Sequence, residues 1–136
     1  MKLPRKVYLI DTNVILRYLL GDHAKLSPKA EAFMIEVSKG TKKAEILDVV
    51  IAECIYVMNK FYNIPRKEIV EKLSGILNFA GIVNSGKSKI IEALLKYRDL
   101  NIDIVDCILA ANSSNSRVVI SFDNDMKKLK AFNETL

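Results

Sequence analysis

Four carboxylates in this chain have the type and placement to share a hard cation: Asp11, Glu53, Asp106 and Asp123, with Asp125 two residues beyond the last. Asp11 closes the apolar run Val7–Ile10, Glu53 opens a helical pattern, Asp106 falls in the first turn of another, and Asp123 follows the run Val118–Ser121. Three have bland readings. A first-turn acid favours the helix dipole, which covers Asp106 and Glu53, and Asp123-Asn124-Asp125 is ordinary turn chemistry. Asp11 is harder to dismiss, because a carboxylate closing a buried strand needs a partner to offset its desolvation. As a group the acids repel, and no Lys or Arg adjoins Asp11, Glu53 or Asp106 in sequence. Mg²⁺ or Mn²⁺ would resolve the repulsion, since both prefer oxygen ligands and His23 is the only histidine. The chain carries +5 as a whole and +9 once these four acids are set aside. An acidic hole in a basic surface suits metal-dependent cleavage of a polyanion.

Other reactive groups point elsewhere. Gly81-Ile-Val-Asn-Ser-Gly86-Lys87-Ser88 matches the phosphate-loop pattern letter for letter, which makes a nucleotide hydrolase the rival enzyme class. That chemistry needs a strand before the first glycine and a loop after it. Here Arg66–Phe79 reads as helix and Ile82-Val83 as strand, so the context fails and Ser85 or Ser88 is read as a helix N-cap. Cys54 and Cys107 sit in apolar helical contexts without a Cys-x-x-Cys pair and are expected to be buried, reduced thiols. His23 sits in a turn and is read as solvated. The basic candidates for nucleic-acid contact are Lys42, Lys43, Lys60, Arg66 and Lys67, with Lys87 and Lys89, although most surface lysines only keep a domain soluble.

The elements that must position the acids alternate between strand and helix. Lys6–Asp11 reads as a strand buried on both faces. A helix from Val14 to Leu20, capped by Thr12 or Asn13, stops at Gly21-Asp22, and a second starts at Ser27-Pro28 and closes near Gly40. Ile46–Val50 reads as a strand and Ala52–Tyr62 as a helix ended by Pro65. Arg66–Phe79 follows as an amphipathic helix, then a strand Gly81–Asn84 and a helix through Ile90, Leu94 and Arg98. Asp103 caps a helix Ile104–Ser113, Val118–Ser121 is a fourth strand, and a loop with a short helix completes the chain. Strands separated by helices predict an α/β fold around a mostly parallel sheet of four or five strands, with ligands outside the strands' carboxyl ends.

The 136 residues are half apolar and 27% charged, which fits one globular domain over residues 1–136 and excludes wholesale disorder or a multidomain machine. The longest uncharged stretch, Leu73–Gly86, is too short and too rich in Gly, Ser and Asn to span a membrane, and the apolar start is cut by Asp11 before a signal peptide can form. A cytoplasmic location is expected.

The segments Leu9–Val14, Leu16–Asp22, Val49–Glu53, Ile104–Ala111 and Val119–Asp125 together resemble the acidic motifs of PIN-domain nucleases, in the family's order and over nearly the whole chain. Size and opening motif are most similar to the VapC-type toxins of toxin–antitoxin pairs. The resemblance implies a three-layer α/β/α fold and Mg²⁺- or Mn²⁺-dependent hydrolysis of RNA. Asp11, Glu53, Asp106 and Asp123 would be the catalytic, metal-binding quartet, Asn13 and Ser121 polar supports, and Asp125 an outer helper. It also implies a homodimer and an antitoxin protein lying across the site. Ser121 stands where the family often has Thr, and Met126 where an aromatic is common. A housekeeping RNA-processing enzyme and a non-cleaving RNA-binding module are the other readings, and a pure binder gains nothing from clustered acids facing a polyanion.

Overall fold

The computed structural model describes residues 6–136. Short strands alternate with helices: β1 (Val7–Leu9), α1 (Thr12–Leu20), α2 (Leu26–Lys39), β2 (Lys43–Glu45), α3 (Asp48–Lys60), α4 (Arg66–Leu77), α5 (Lys87–Leu100), α6 (Ile104–Ala111), β3 (Val119–Ser121), α7 (Asp125–Lys128) and β4 (Asn133–Thr135). Both strand pairs are parallel, β1 with β2 in the register Val7↔Lys43 and β3 with β4 in the register Val119↔Asn133. A single parallel bridge, Ala44↔Ile82, extends the first pair. The α/β class with parallel pairing is as expected from the alternation of periods.

The expected stops at Gly21 and Gly40 hold: both adopt left-handed φ, 59° and 80°, which ends α1 and α2 where only glycine turns without strain. The starts of these helices differ from the sequence reading. Asp11, not Thr12 or Asn13, is the N-cap of α1. His23 is not idle, because its Nδ1 accepts from the backbone N–H of Lys25 (3.3 Å) and Leu26 (3.0 Å), while Ser27 Oγ accepts from the His23 N–H. The imidazole thus caps α2, which begins ahead of Ser27.

Three strand assignments are corrected. Ile46–Val50 is not a strand: β2 lies at Lys43–Glu45, and α3 starts at Asp48 instead of Ala52, with the Val50 and Ile51 N–H groups donating to the Leu47 carbonyl. A short apolar run fits a buried helix as well as a strand, and β1 settled the matter by pairing three residues earlier. Gly81–Asn84 shrinks to the bridge at Ile82; the next rung is made by the Asn84 side chain, whose amide accepts from Ile46 N–H (2.9 Å) and donates to the Ile46 carbonyl (2.7 Å). β1 is not buried on both faces, since Val7, Tyr8 and Leu9 are exposed and Ile10 alone enters the core. Among the described residues it is hydrogen-bonded to β2 only. β4, within the stretch read as loop and short helix, is an addition that only its pairing with β3 reveals.

The helices then enclose one apolar cluster that includes Ile15, Met34, Ile51, Met58, Leu73, Leu77, Leu94 and Cys107. α1 packs on α2 and α3, α3 on α4 and α6, and α5 on α4 and α6. These contacts bring the start of α1, the middle of α3 and the start of α6 onto adjoining helices. No helix among the described residues is long and apolar enough to cross a membrane.

Candidate active site

Asp106 owes its position to Asp103. The Asp103 carboxylate accepts from the Val105 N–H at 2.9 Å and caps α6 as the sequence suggested, so the Asp106 side chain is free of capping duty. Past β3, Ser121 Oγ accepts from the Asp123 N–H (3.2 Å) and Asp123 Oδ1 from the Asp125 N–H (3.0 Å). Two successive side-chain turns therefore fix the backbone from Ser121 to Asp125. The result is a trio: oxygen atoms of Asp106, Asp123 and Asp125 all lie within 4.8 Å of one another.

The electrostatics of the trio are unfavourable by themselves. Desolvation raises the pKa of the half-buried Asp106 above the ordinary carboxylate value, and the negative charges of Asp123, Asp103 and Asp125 push it further in the same direction. Among the described residues the trio's one ion-pair partner is Lys128, 3.8 Å from Asp125 with its side chain largely exposed, a weak counterion. Three oxygen-donor groups with this much mutual repulsion fit a hard divalent cation. The thiols do not compete for it: both cysteines are free and buried, as expected, and burial is the main cause that pushes Cys54 up to about 12 and Cys107 up to about 11.

Asp11 and Glu53 stand outside the trio. Both charges nevertheless reach the Cys54 thiol and add to the rise in its pKa. Glu53 lies in the second turn of α3, because the helix starts at Asp48, so the first-turn reading falls to Asp48. Asp11 is exposed, and the desolvation argument made for it from sequence does not apply. Its carboxylate makes no capping hydrogen bond to α1 and remains available to a ligand. Asn13 is exposed beside it. Asp125, expected as an outer helper, lies within the same 4.8 Å of Asp106 and Asp123 as they do of each other; the Asp-x-Asp spacing within one turn was the available signal.

The basic candidates divide. Arg66 is structural: Nη1 donates to the carbonyls of Tyr97 (2.7 Å) and Ile102 (2.9 Å), and the guanidinium lies 4.0 Å from the centre of the Tyr97 ring. Lys42 pairs with Glu36 at 3.0 Å over the rings of Tyr8 and Phe33. Lys60 and Lys67 are exposed and Lys43 half-buried. The phosphate-loop lookalike is dismantled as well. Lys87 Nζ donates to the Ile82 carbonyl at 2.7 Å, and Gly81 is pressed so closely against the carbonyls of Lys42 and Val37 that a Cβ would collide with them. Gly86, not Ser85 or Ser88, is the N-cap of α5.

A VapC ribonuclease of Aquifex aeolicus (strain VF5) is 31% identical over 123 residues, covering 89% of this chain and 90% of that protein. Residues 8–131 match the PIN domain, a span that takes in all of β1 but Val7, the seven helices of the described residues and all five acids. With a match of that extent, and with the parallel strand pairs and the acids in the order already described, the chain belongs to the PIN-domain family and shares its three-layer α/β/α fold.

Proposed function

We propose that this chain is a divalent-metal-dependent ribonuclease, a single nuclease domain that hydrolyses RNA phosphodiester bonds and serves as the toxin of a toxin–antitoxin pair in the cytoplasm. The observation that carries the reading is the trio of carboxylates on α6 and the turn after β3, drawn together against their own repulsion. Support comes from the family and from the similar VapC ribonuclease.

In this reading Asp106, Asp123 and Asp125 hold Mg²⁺ or Mn²⁺, with Asp11 and Glu53 completing the acidic site from the adjoining helices. A cation held there supplies a bound water of lowered pKa and stabilises charge building on the phosphate. Asp103 keeps Asp106 clear of the helix end, and Ser121 keeps the Asp123 turn in shape. Glu53 and Asp11, both exposed, would orient water or the phosphate itself. The chain needs no nucleophile of its own, which agrees with two buried thiols held protonated. We further propose a homodimer, for which Val49 and Tyr56 of α3, Phe61 just beyond it, and Val105 and Leu109 of α6 offer exposed apolar area, and an antitoxin protein as partner.

The test is cleavage of RNA by purified protein with chelator, with Mg²⁺ and with Mn²⁺. Cleavage should vanish on chelation, return with either metal, and be lost in Asp106→Asn and Asp11→Asn variants whose circular dichroism is unchanged. Activity that survives both the chelator and Asp106→Asn would overturn the metal mechanism. Growth arrest on expressing the wild type but not Asp106→Asn tests the toxin role.

A further inference from the structure

Phe122 is the most exposed large apolar side chain among the described residues, at 82%, and it lies between Ser121 and Asp123. Singly exposed apolar residues are common and by themselves mean nothing. Phe122 differs in its setting. The hydrogen bonds Ser121 Oγ to Asp123 N–H and Asp123 Oδ1 to Asp125 N–H hold the backbone on its C-terminal side, and the pairing of β3 with β4 holds it on the other. The ring is therefore presented from a fixed position one residue from a carboxylate of the trio. Tyr56 pairs with Phe61 at 6.3 Å and Tyr8 with Phe33 at 5.5 Å, whereas Phe122, like the less exposed Tyr62 and Phe132, pairs with no ring among the described residues. Lys127 and Lys128 are exposed on the adjoining α7.

An unpaired aromatic face beside cations is the combination that binds a single-stranded nucleic acid: bases stack on the ring, and phosphates are drawn to the ammonium groups. We infer that Phe122 is a stacking platform for an unpaired base of the RNA substrate, with the adjoining phosphates drawn to Lys127 and Lys128. Double-stranded RNA buries its base faces and gains nothing from the ring. This inference rests on the ribonuclease reading and names a residue that positions its substrate.

The experiment separates binding from cleavage. In an Asp106→Asn background, a single-stranded RNA oligomer carrying 2-aminopurine is titrated with protein having Phe, Trp or Leu at position 122, and each protein's mass is followed by sedimentation. Phe122→Trp should bind as the parent does and change the 2-aminopurine fluorescence, as stacking requires. Phe122→Leu, which keeps apolar bulk and loses the π face, should weaken binding roughly tenfold to a hundredfold and abolish the fluorescence change, the range expected for one stacked base. A blunt-ended duplex should show no dependence on position 122. Equal binding by the Phe and Leu proteins would overturn the inference. So would a Phe122→Leu protein whose oligomeric state shifts, since the ring would then belong to an interface between copies. If binding follows the stacking pattern but the wild type cleaves no RNA with any metal, the nuclease reading fails and the platform stands.

Discussion

Asp106 is the residue on which the electrostatics converge. Its carboxyl binds protons more readily folded than unfolded, because burial and three negative neighbours raise its pKa. The native state thus holds more protons than the unfolded one across this range, and stability falls as pH rises from the ordinary carboxylate value through the raised one. Above that window the penalty is complete; well below it, the penalty is absent. Metal-free protein should accordingly melt lower at pH 7 than near pH 4.5 by more than an Asp106→Asn variant does, and at pH 7 the variant should melt higher than the parent. Calorimetry with chelator at both pH values checks this, and a variant that melts lower at pH 7 would mean that Asp106 is only a helix-terminal acid. Arg66 makes the opposite case, a cation whose use is internal. Loss of its two bonds to the carbonyls of Tyr97 and Ile102 should destabilise Arg66→Ala by about 2–4 kcal/mol in urea unfolding, since hydrogen bonds to charged groups contribute roughly 1.5–3 kcal/mol each and do not add fully. RNA cleavage per folded molecule should be nearly unchanged. A variant of full stability but weakened RNA binding would return Arg66 to the substrate surface.

At the scale of elements, the junction around β2 decides where the acids stand. By starting α3 at Asp48, the fold sets Glu53 in the second turn, exposed and next to the buried Cys54. The boundary is pinned from the far side by Asn84, whose amide substitutes for a strand rung at Ile46. Asn84→Ala leaves both Ile46 backbone groups without that partner and should cost about 1–3 kcal/mol, with Asn84→Asp recovering only the acceptor half. Amide hydrogen exchange at Ile46 reports the loss directly; unchanged protection there would show that the bridge at Ile82 holds β2 unaided. The same region explains the phosphate-loop lookalike. Its first glycine permits backbone contact with Lys42 and Val37, and its lysine ties α5 to Ile82, so a nucleotide-binding motif in the letters is a packing motif in the fold.

For the whole molecule, a cation at the trio would join α6 to the segment that follows β3, two parts of the chain that otherwise meet through α6 and α7. Mg²⁺ at one hundred times its dissociation constant should stabilise the protein by about 2.7 kcal/mol, which for a chain of this size is several degrees in Tm. Asp125→Asn should weaken that gain, and hydrogen exchange between β3 and β4 should slow on adding metal to the parent. A metal that raises Tm equally in parent and Asp125→Asn would mean that it binds elsewhere. The alternation of strand and helix periods, the glycine stops of α1 and α2, the Asp103 cap and the participation of Asp106 and Asp123 were all legible in the sequence, because each follows from local chemistry within a few residues. The placement of β2, the existence of β4, the use of the Asn84 amide as a strand rung, the capping role of His23 and the internal use of Arg66 were not legible. Each depends on which partner the rest of the chain brings within hydrogen-bond reach. A short apolar run such as Ile46–Val50 is compatible with strand or helix until β1 pairs elsewhere, and Asp125 is a turn residue until α6 brings Asp106 to it. Residue types told which atoms could bind a cation; only the packing of distant segments decided which of them share one place.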